Sequence, residues 1–465
     1  MDAPCKIQGN IHVLLCLIHK SICVQDSGYI SLTIGSFSFS KRKIRYANFV
    51  ALCYTYPMRN EGKAMNYNKP STFHYKLAQM VSWVVAKFIF KRKFIRNEIK
   101  DQKGPFVVIA NHEAVLDFAN LIGATKHPMS FVISSAFFNT LPLKKFMTKM
   151  GVIPKAQFQT SMKDLRQMVS VIKNEGSIAI YPAGLMCEDG LSTPIPQATY
   201  KFLKILNADV YVAKTIGTYF VMPKWAKGIS PGRTYMDIYK LFSKEELAEA
   251  DEAAIKAKTD EALLFDAYRE QEQYLAKYKS NRDLNGLENV LYVCPYCKTE
   301  FSIQVKDKNV LQCSECGLTY SSDIHGFLHK ESCFGPDIRY VSDWSKSIHN
   351  DMKAKIEQRL LTSLTAETKI LMINFAKNKF IEVGSGTISL SVDELTIDGV
   401  INGESINLSI PTAHFPTLPF KPGKHLDIQN GADIYRCVLR DGKMAMKFIH
   451  MIKSIHELKK SVIAK

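Results

Sequence analysis

Four short apolar runs limit what the middle of this chain can fold into. Residues 106–110, behind Gly104 and Pro105, read Phe-Val-Val-Ile-Ala, and 129–134, 177–181 and 209–214 repeat the form. Each is too short for an ordinary helix and stands between turn formers, which is the pattern of a strand. Between them the period changes. Over 161–174, Met162, Leu165, Met168, Val169 and Ile172 fall on one helical face, and Ser161 with Asp164 resembles a capping box at its start. Strands alternating with helices predict an α/β domain.

The flanking segments extend that domain to about 65–285. From 74 to 93, Leu77, Val81, Val84, Val85 and Phe88 share one face of a helix. It leads into seven bases, Lys87, Lys91, Arg92, Lys93, Arg96, Lys100 and Lys103, against two acids, Glu98 and Asp101. An apolar stripe with a basic flank suits a helix lying in a lipid headgroup layer. A helix that packs the stripe on its own domain and leaves its basic end solvated fits the same pattern. Residues 243–272 then turn acidic, ten Asp and Glu against four Lys and Arg, and Ser243-x-x-Glu246 is a good helix start. We read 243–279 as one or two polar helices that close the domain and 281–289 as a linker.

Residues 1–64 hold four cysteines and a Ser-rich patch at 36–40, with no amphipathic period. They read as a poorly ordered extension, or as a chain start placed upstream of Met58 or Met65. A secretory signal on the apolar stretch 11–18 is a third reading, without the basic start or the small-residue cleavage site that such signals carry.

At the other end, a helix from Trp344 to Leu361 gives way to strands. Ile388, Leu390 and Val392 alternate with serines, and Ile406, Leu408 and Ile410 alternate with Asn407 and Ser409. A last helix carries Phe448, Met451, Ile452 and Ile455 on one face. Several strands capped by one helix over 345–465 resemble a pleckstrin-homology or GRAM-type module; an unrelated small β domain packed on the rest fits as well.

Eleven cysteines in 465 residues fall far below disulfide-scaffold density, which suggests reduced thiols in a cytosol-like compartment. Four of them, Cys294-x-x-Cys297 and Cys313-x-x-Cys316, are two pairs separated by fifteen residues. Such pairs offer four thiolates to a tetrahedral zinc ion with a hairpin between them, and 290–322 resembles a zinc ribbon. With all four ligands cysteine the site is closed and structural. His325, His329 and Cys333, spaced by four, could share a helical face and hold a second metal, but no fourth ligand is evident.

The residues suited to catalysis follow the first strand. Asn111-His112-Glu113-Ala114-Val115-Leu116-Asp117 places a histidine and a carboxylate five positions apart. On an ideal helix those positions point about 140° apart, so a contact requires His112 to sit in the turn before the helix. A neutral imidazole can take a proton from an alcohol, and an adjacent carboxylate fixes its tautomer.

This segment resembles the N-H-x-x-x-x-D motif of the glycerolipid acyltransferases, over about Met65–Lys240. Gly151-Val152-Ile153-Pro154 is similar to the family's second block, and Tyr181-Pro182-Ala183-Gly184 to its third, usually Phe-Pro-Glu-Gly-Thr-Arg-Ser. The resemblance implies attack of an acceptor hydroxyl on an acyl thioester of coenzyme A or acyl carrier protein. His112 would be the general base and Asp117 its orienter, with Asn111, Gly151, Lys155, Pro182 and Gly184 on the substrate. It also implies a lysophospholipid or other glycerolipid acceptor, met at an anionic membrane surface by a peripheral enzyme on the cytoplasmic face. The departures bear on the acceptor. Ala183 replaces the family's glutamate, Leu185, Met186 and Cys187 replace Thr-Arg-Ser, and the second block lacks its arginine, leaving Lys155 as the nearest cation. A phosphate on the acceptor thereby loses its usual partners. Cys187 follows a strand, but nothing in the sequence pairs it with a base, so it reads as a packing or loop residue.

The chain carries no P-loop, no G-x-G-x-x-G and no G-x-S-x-G, so nucleotide hydrolysis, dinucleotide redox and α/β-hydrolase chemistry lack their usual support. No apolar run reaches the roughly 18 to 20 residues that span a bilayer. The excess of 61 Lys and Arg over 44 Asp and Glu, +17, implies an anionic partner. A basic zinc-ribbon protein that binds nucleic acid is one alternative, but the bases gather near the amphipathic helix, so no nucleic acid is expected. An acyltransferase fold that has lost catalysis and been kept as a lipid-binding module is another, prompted by Ala183.

Overall fold

Strand β2 (Phe106–Ala110) shows how the first domain is layered. Its residues are buried on both faces, and alternation sends Phe106, Val108 and Ala110 into one core and Val107 and Ile109 into another. We describe the chain from a computed structural model covering residues 69–463, apart from 141–142, 158–161, 279–282 and 432. The readings of residues 1–64 and of Ser161 as a cap lie outside the described residues.

The sheet around β2 has seven strands in the order β1-β7-β6-β2-β5-β3-β4. They are β1 (Lys93–Asn97), β3 (Met129–Ser134), β4 (Ile153–Lys155), β5 (Ser177–Ile180), β6 (Asp209–Ile216) and β7 (Tyr235–Phe242) with β2. β6, β2, β5, β3 and β4 run parallel, while β7 is antiparallel to β6 and parallel to β1. One face is covered by helices α1 (Thr72–Val84), α2 (Asp117–Ile122), α3 (Ser135–Thr140) and α4 (Lys144–Lys149) through Tyr75, Leu121, Phe138 and Phe146. The other is covered by α5 (Met162–Lys173), α6 (Ala198–Leu206), and α8 (Lys244–Glu249) with α9 (Glu252–Leu263), through Met168, Leu203, Leu247 and Ile255. The short α7 (Thr218–Val221) follows β6. The acidic stretch forms three helices, α8, α9 and α10 (Ala267–Tyr274), and Ser243 with Glu246 makes the expected capping box.

Helix α1 is turned the opposite way from the own-domain reading. It ends at Val84, continues as a wider turn over Val85–Ile89, and gives way to β1 at Lys93, so the helical reading to 93 is too long. Its inward residues are Tyr75, Ala78, Ser82 and, in the wider turn, Ala86. Ser82 donates to the Ala119 carbonyl, and a Cβ on Gly123 would lie 2.8 Å from the Ser82 hydroxyl, so α1 and α2 meet through small groups. The apolar stripe Leu77, Val81, Val84 and Phe88 is exposed, together with Phe73, Met80 and Trp83. Two of the seven bases are committed. Arg92 donates to the Asn120 carbonyl and Arg96 holds Asp237 at 2.8 Å, while the five lysines are exposed.

The two C-terminal modules share one core with the first domain. A four-stranded sheet, β8 (Ile303–Lys306), β9 (Val310–Cys313), β10 (Thr319–Ser322) and β11 (Leu328–Lys330), runs past residue 322, with the first cysteine pair in the turn before β8 and the second at the end of β9. Helix α11 (Val341–Glu357) leads to a second seven-stranded sheet, and α12 (Met444–Ile463) packs on it. That sheet is antiparallel, in the order β15-β14-β13-β12-β18-β17-β16. Its strands are β12 (Ser363–Asn374), β13 (Lys379–Ser391), β14 (Glu394–Ile401), β15 (Glu404–Pro411), β16 (Phe420–Lys421), β17 (His425–Asn430) and β18 (Asp433–Leu439). Phe448, Met451, Ile452 and Ile455 are buried as the pattern predicts. Leu284 and Leu287 in the expected linker are buried in the common core, with Trp225, Trp344 and Met446, so that stretch is packed structure. His329 lies on β11 and bonds Asp323 at 2.9 Å, and Cys333 is exposed, so the three residues proposed for a second metal share no helix.

Candidate functional site

The turn between β2 and α2 is bent back on itself by one carboxylate. Asp117, first residue of α2 and fully buried, accepts at Oδ2 from the backbone N–H groups of Glu113 and Ala114, both at 2.8 Å. The same oxygen lies 3.0 Å from Nδ1 of His112. Three donors converging on one oxygen place the proton on Nδ1, which leaves Nε2 of His112 as the basic nitrogen. The contact needed His112 in the turn, and the structure puts it there.

Neighbouring residues hold that turn against the next strand. Asn111 donates from Nδ2 to the Thr215 carbonyl at 2.8 Å and accepts at Oδ1 from the Thr215 N–H at 2.7 Å, so it pairs with the end of β6 as a strand would. Glu113, wholly buried, accepts at Oε2 from the Thr218 hydroxyl and the Tyr219 N–H at 3.0 and 2.9 Å. Nothing in the sequence pointed to Thr215, Thr218 or Glu113, because their partners lie more than a hundred residues away.

The third block forms the facing wall. The Tyr181 ring stands 4.5 Å from the His112 ring, and among the described residues its buried hydroxyl has no hydrogen-bond partner. Burial, and then the charge of Asp117, push that hydroxyl well above the usual tyrosine range. A shallow cleft is lined by His112 and Asn111 with Pro182, Ala183, Leu185 and Phe265. Gly184 has φ +69 with open space around its Cα, so glycine serves the backbone there rather than leaving room for a ligand. Among the described residues no lysine or arginine lines the cleft. Gly151, φ +71, turns the chain into β4, and Lys155 at its end gives its ammonium to the Ala156 carbonyl; neither lines the cleft. The Cys187 thiol is buried and pushed well up by that burial, then by Glu113, which suits packing and not attack.

The four cysteines are brought together. Their sulfur atoms all lie within 4.8 Å of one another, with Cys294 to Cys316 and Cys297 to Cys313 at 3.7 Å. Four sulfurs about 2.3 Å from a central zinc in a tetrahedron would stand about 3.8 Å apart, so the donor set fits. Each pair is closed alike, with Lys298 and Gly317 in the left-handed region and their N–H groups on the carbonyls of Cys294 and Cys313.

Residues 91–216 match the family model described as Acyltransferase. Among solved structures, the 1-acyl-sn-glycerophosphate (LPA) acyltransferase PlsC from Thermotoga maritima is similar over 49% of this chain and 88% of its own, with 15% sequence identity and a TM-score of 0.36. No curated protein matches the chain. The match to the Acyltransferase model covers β2, the turn with His112 and Asp117, and the strands up to β6.

The Glu113 carboxyl gives the first prediction. Burial, with Glu270 and Asp117 nearby, raises it well above the usual range against the pull of Tyr219 and Thr218. The folded chain therefore keeps a proton that the unfolded chain releases near pH 4.3, and stability falls as pH rises above about 4.3. Glu113→Gln removes that dependence. The melting temperature of the variant relative to wild type is expected to rise with pH from acid to neutral, and a constant difference across that range would refute it.

Proposed function

We propose that the acyltransferase domain moves a fatty acyl group from an acyl thioester, of coenzyme A or acyl carrier protein, to a hydroxyl of a lysophospholipid or other glycerolipid. The observation that carries this reading is the His112–Asp117 contact of 3.0 Å at the mouth of the cleft. Nε2 of His112 takes the hydroxyl proton as the acceptor oxygen attacks the thioester carbonyl. The C–S bond then breaks, and the thiolate recovers the proton from the imidazolium. Asp117 keeps the ring in one tautomer and stabilises its charged form, and the Tyr181 ring holds it in place. The apolar walls of Pro182, Ala183 and Leu185, with no lysine or arginine among the described residues that line the cleft, suit an acceptor whose phosphate, if it has one, lies outside it.

Two further parts complete the reading. Cys294, Cys297, Cys313 and Cys316 hold a structural zinc ion that stabilises the ribbon. The exposed face of α1, with the lysines beyond it, rests on the cytoplasmic surface of an anionic membrane, where a long-chain acceptor resides.

His112→Ala is expected to lower acyl transfer by at least about a hundredfold with the fold unchanged, as loss of a general base does, read from thioester consumption with lysolipid acceptors. Activity retained in that variant would overturn His112 as the base, whereas wild-type protein that consumes no thioester would leave the lipid-binding alternative standing. Metal analysis of reduced protein is expected to give one zinc per chain, lost in Cys294→Ser together with a lower melting temperature; protein that is metal-free yet equally stable would remove the claim. Reversal of the exposed Lys87, Lys91 and Lys93 to Glu is expected to release the protein from anionic vesicles. Co-sedimentation that ignores both the reversal and salt would end the membrane reading.

A further inference from the structure

One oxygen of the carboxylate that orients His112 is left over by the contacts described above. Asp117 uses Oδ2 for three donors, the N–H groups of Glu113 and Ala114 and Nδ1 of His112. Its Oδ1 is buried and, among the described residues, has no hydrogen-bond partner. A charged oxygen shut away from water without a donor costs more than a hydrogen bond is worth, so a donor for it is expected.

The facing wall holds a group with the opposite need. The Tyr181 ring lies against the His112 ring, centroids 4.5 Å apart and planes tilted by 33°. From that half-buried contact the side chain runs inward to a hydroxyl that is buried and, among the described residues, unpartnered. The charge of Asp117 reaches it, adding to burial in pushing the hydroxyl well above the usual tyrosine range, so the oxygen keeps its proton and remains a donor. Asn120 follows Asp117 by three residues, which places it on the same side of α2. It is fully buried, and among the described residues neither atom of its amide has a partner. An unfilled acceptor, an unfilled donor and an amide that is both are the lining an internal water takes, since such a water makes roughly two to four hydrogen bonds.

We propose that Tyr181 is a positioning residue for the base, its hydroxyl serving Oδ1 of Asp117 through one internal water. This role rests on the reading of His112 as general base. A donor at Oδ1 draws negative charge away from Oδ2 and so loosens the carboxylate's grip on the imidazolium. Nε2 of His112 is thereby kept free to accept a proton down to lower pH. The other titratable groups around the pair are the same with or without the hydroxyl. Glu113 keeps its proton through burial, Glu270 behind it is paired with Lys214 at 2.8 Å, and burial keeps the Cys187 thiol protonated.

Tyr181→Phe removes one oxygen and leaves the ring on His112. In that variant, checked by its melting curve, kcat/KM is followed against pH as oleoyl-coenzyme A is consumed with the lysophospholipid that wild type accepts best. The acid limb is expected to move up by about half a pH unit, with the plateau lowered by less than about tenfold. A ring that only packs would lower the plateau and leave the limb in place, and that result would overturn the role. Two readouts need no turnover. The His112 ring resonances, followed by NMR, are expected to titrate at higher pH in Tyr181→Phe than in wild type. A crystal structure of wild type, which needs no variant, is expected to show an ordered water within about 3.2 Å of both Oη of Tyr181 and Oδ1 of Asp117. Coincident titrations, or no water between those atoms, would overturn the proposal whatever the activity. Wild-type protein that consumes no thioester while the two titrations differ would keep the link from Tyr181 to Asp117 and remove the acyl-transfer reading instead.

Discussion

The candidate site depends on the pinning of one turn to the end of a neighbouring strand. The chain leaves β2 at Ala110 and must present an imidazole at the sheet's edge without losing its backbone partners. Asn111 continues the ladder with its side chain by exchanging two hydrogen bonds with Thr215, and Glu113 takes the N–H of Tyr219 and the hydroxyl of Thr218. Those contacts fix both ends of the turn, so Asp117 meets His112 with no freedom to be paid at the moment of reaction. Burying Glu113 costs free energy, and its carboxyl group offsets part of that cost by accepting from Asn111, Thr218 and Tyr219.

The rest of the molecule reaches the site through the segment after the third block. Glu188 is fully buried, and although burial pushes its carboxyl up, Lys453 of α12 and Lys224 hold it below its usual range. Lys224 itself is lowered to about 8 by burial and stands 3.6 Å over the Phe420 ring of β16. Asp189 accepts from Ser345 of α11 at 2.6 Å. Removing one member of such a buried charged group would strand the others, so the C-terminal modules and the cleft wall are energetically tied. The ribbon is wedged into the same core. Trp344 of α11 gives its indole N–H to the Val293 carbonyl at 2.9 Å, and its ring packs on Tyr320 of β10.

The orientation of α1 follows from size. Ser82 meets α2 so closely that a Cβ on Gly123 would lie 2.8 Å from its hydroxyl, and with Tyr75, Ala78 and Ala86 also turned inward the apolar stripe of Leu77, Val81, Val84 and Phe88 is left outside. An amphipathic stripe in the sequence announces that a helix has two faces. It does not say which face the protein covers, because an interface of small groups can bring backbones close enough to compete with burying large ones.

What the sequence determined was local. Strand positions, the turn that brings His112 and Asp117 together, the capping box at Ser243 and the two cysteine pairs are set by periodicity and spacing within a few residues, and the structure has them where the pattern puts them. Only the tertiary structure decided what each face meets. Thr215 and Thr218 as supports of the turn, the buried pair of Glu188 with Lys453, the packing of Leu284 and Leu287 where a linker was expected, and the Tyr181 ring on His112 join segments far apart in the chain. No local pattern encodes such pairings, because their free energy comes from surface removed from water and charges matched only once the elements have docked.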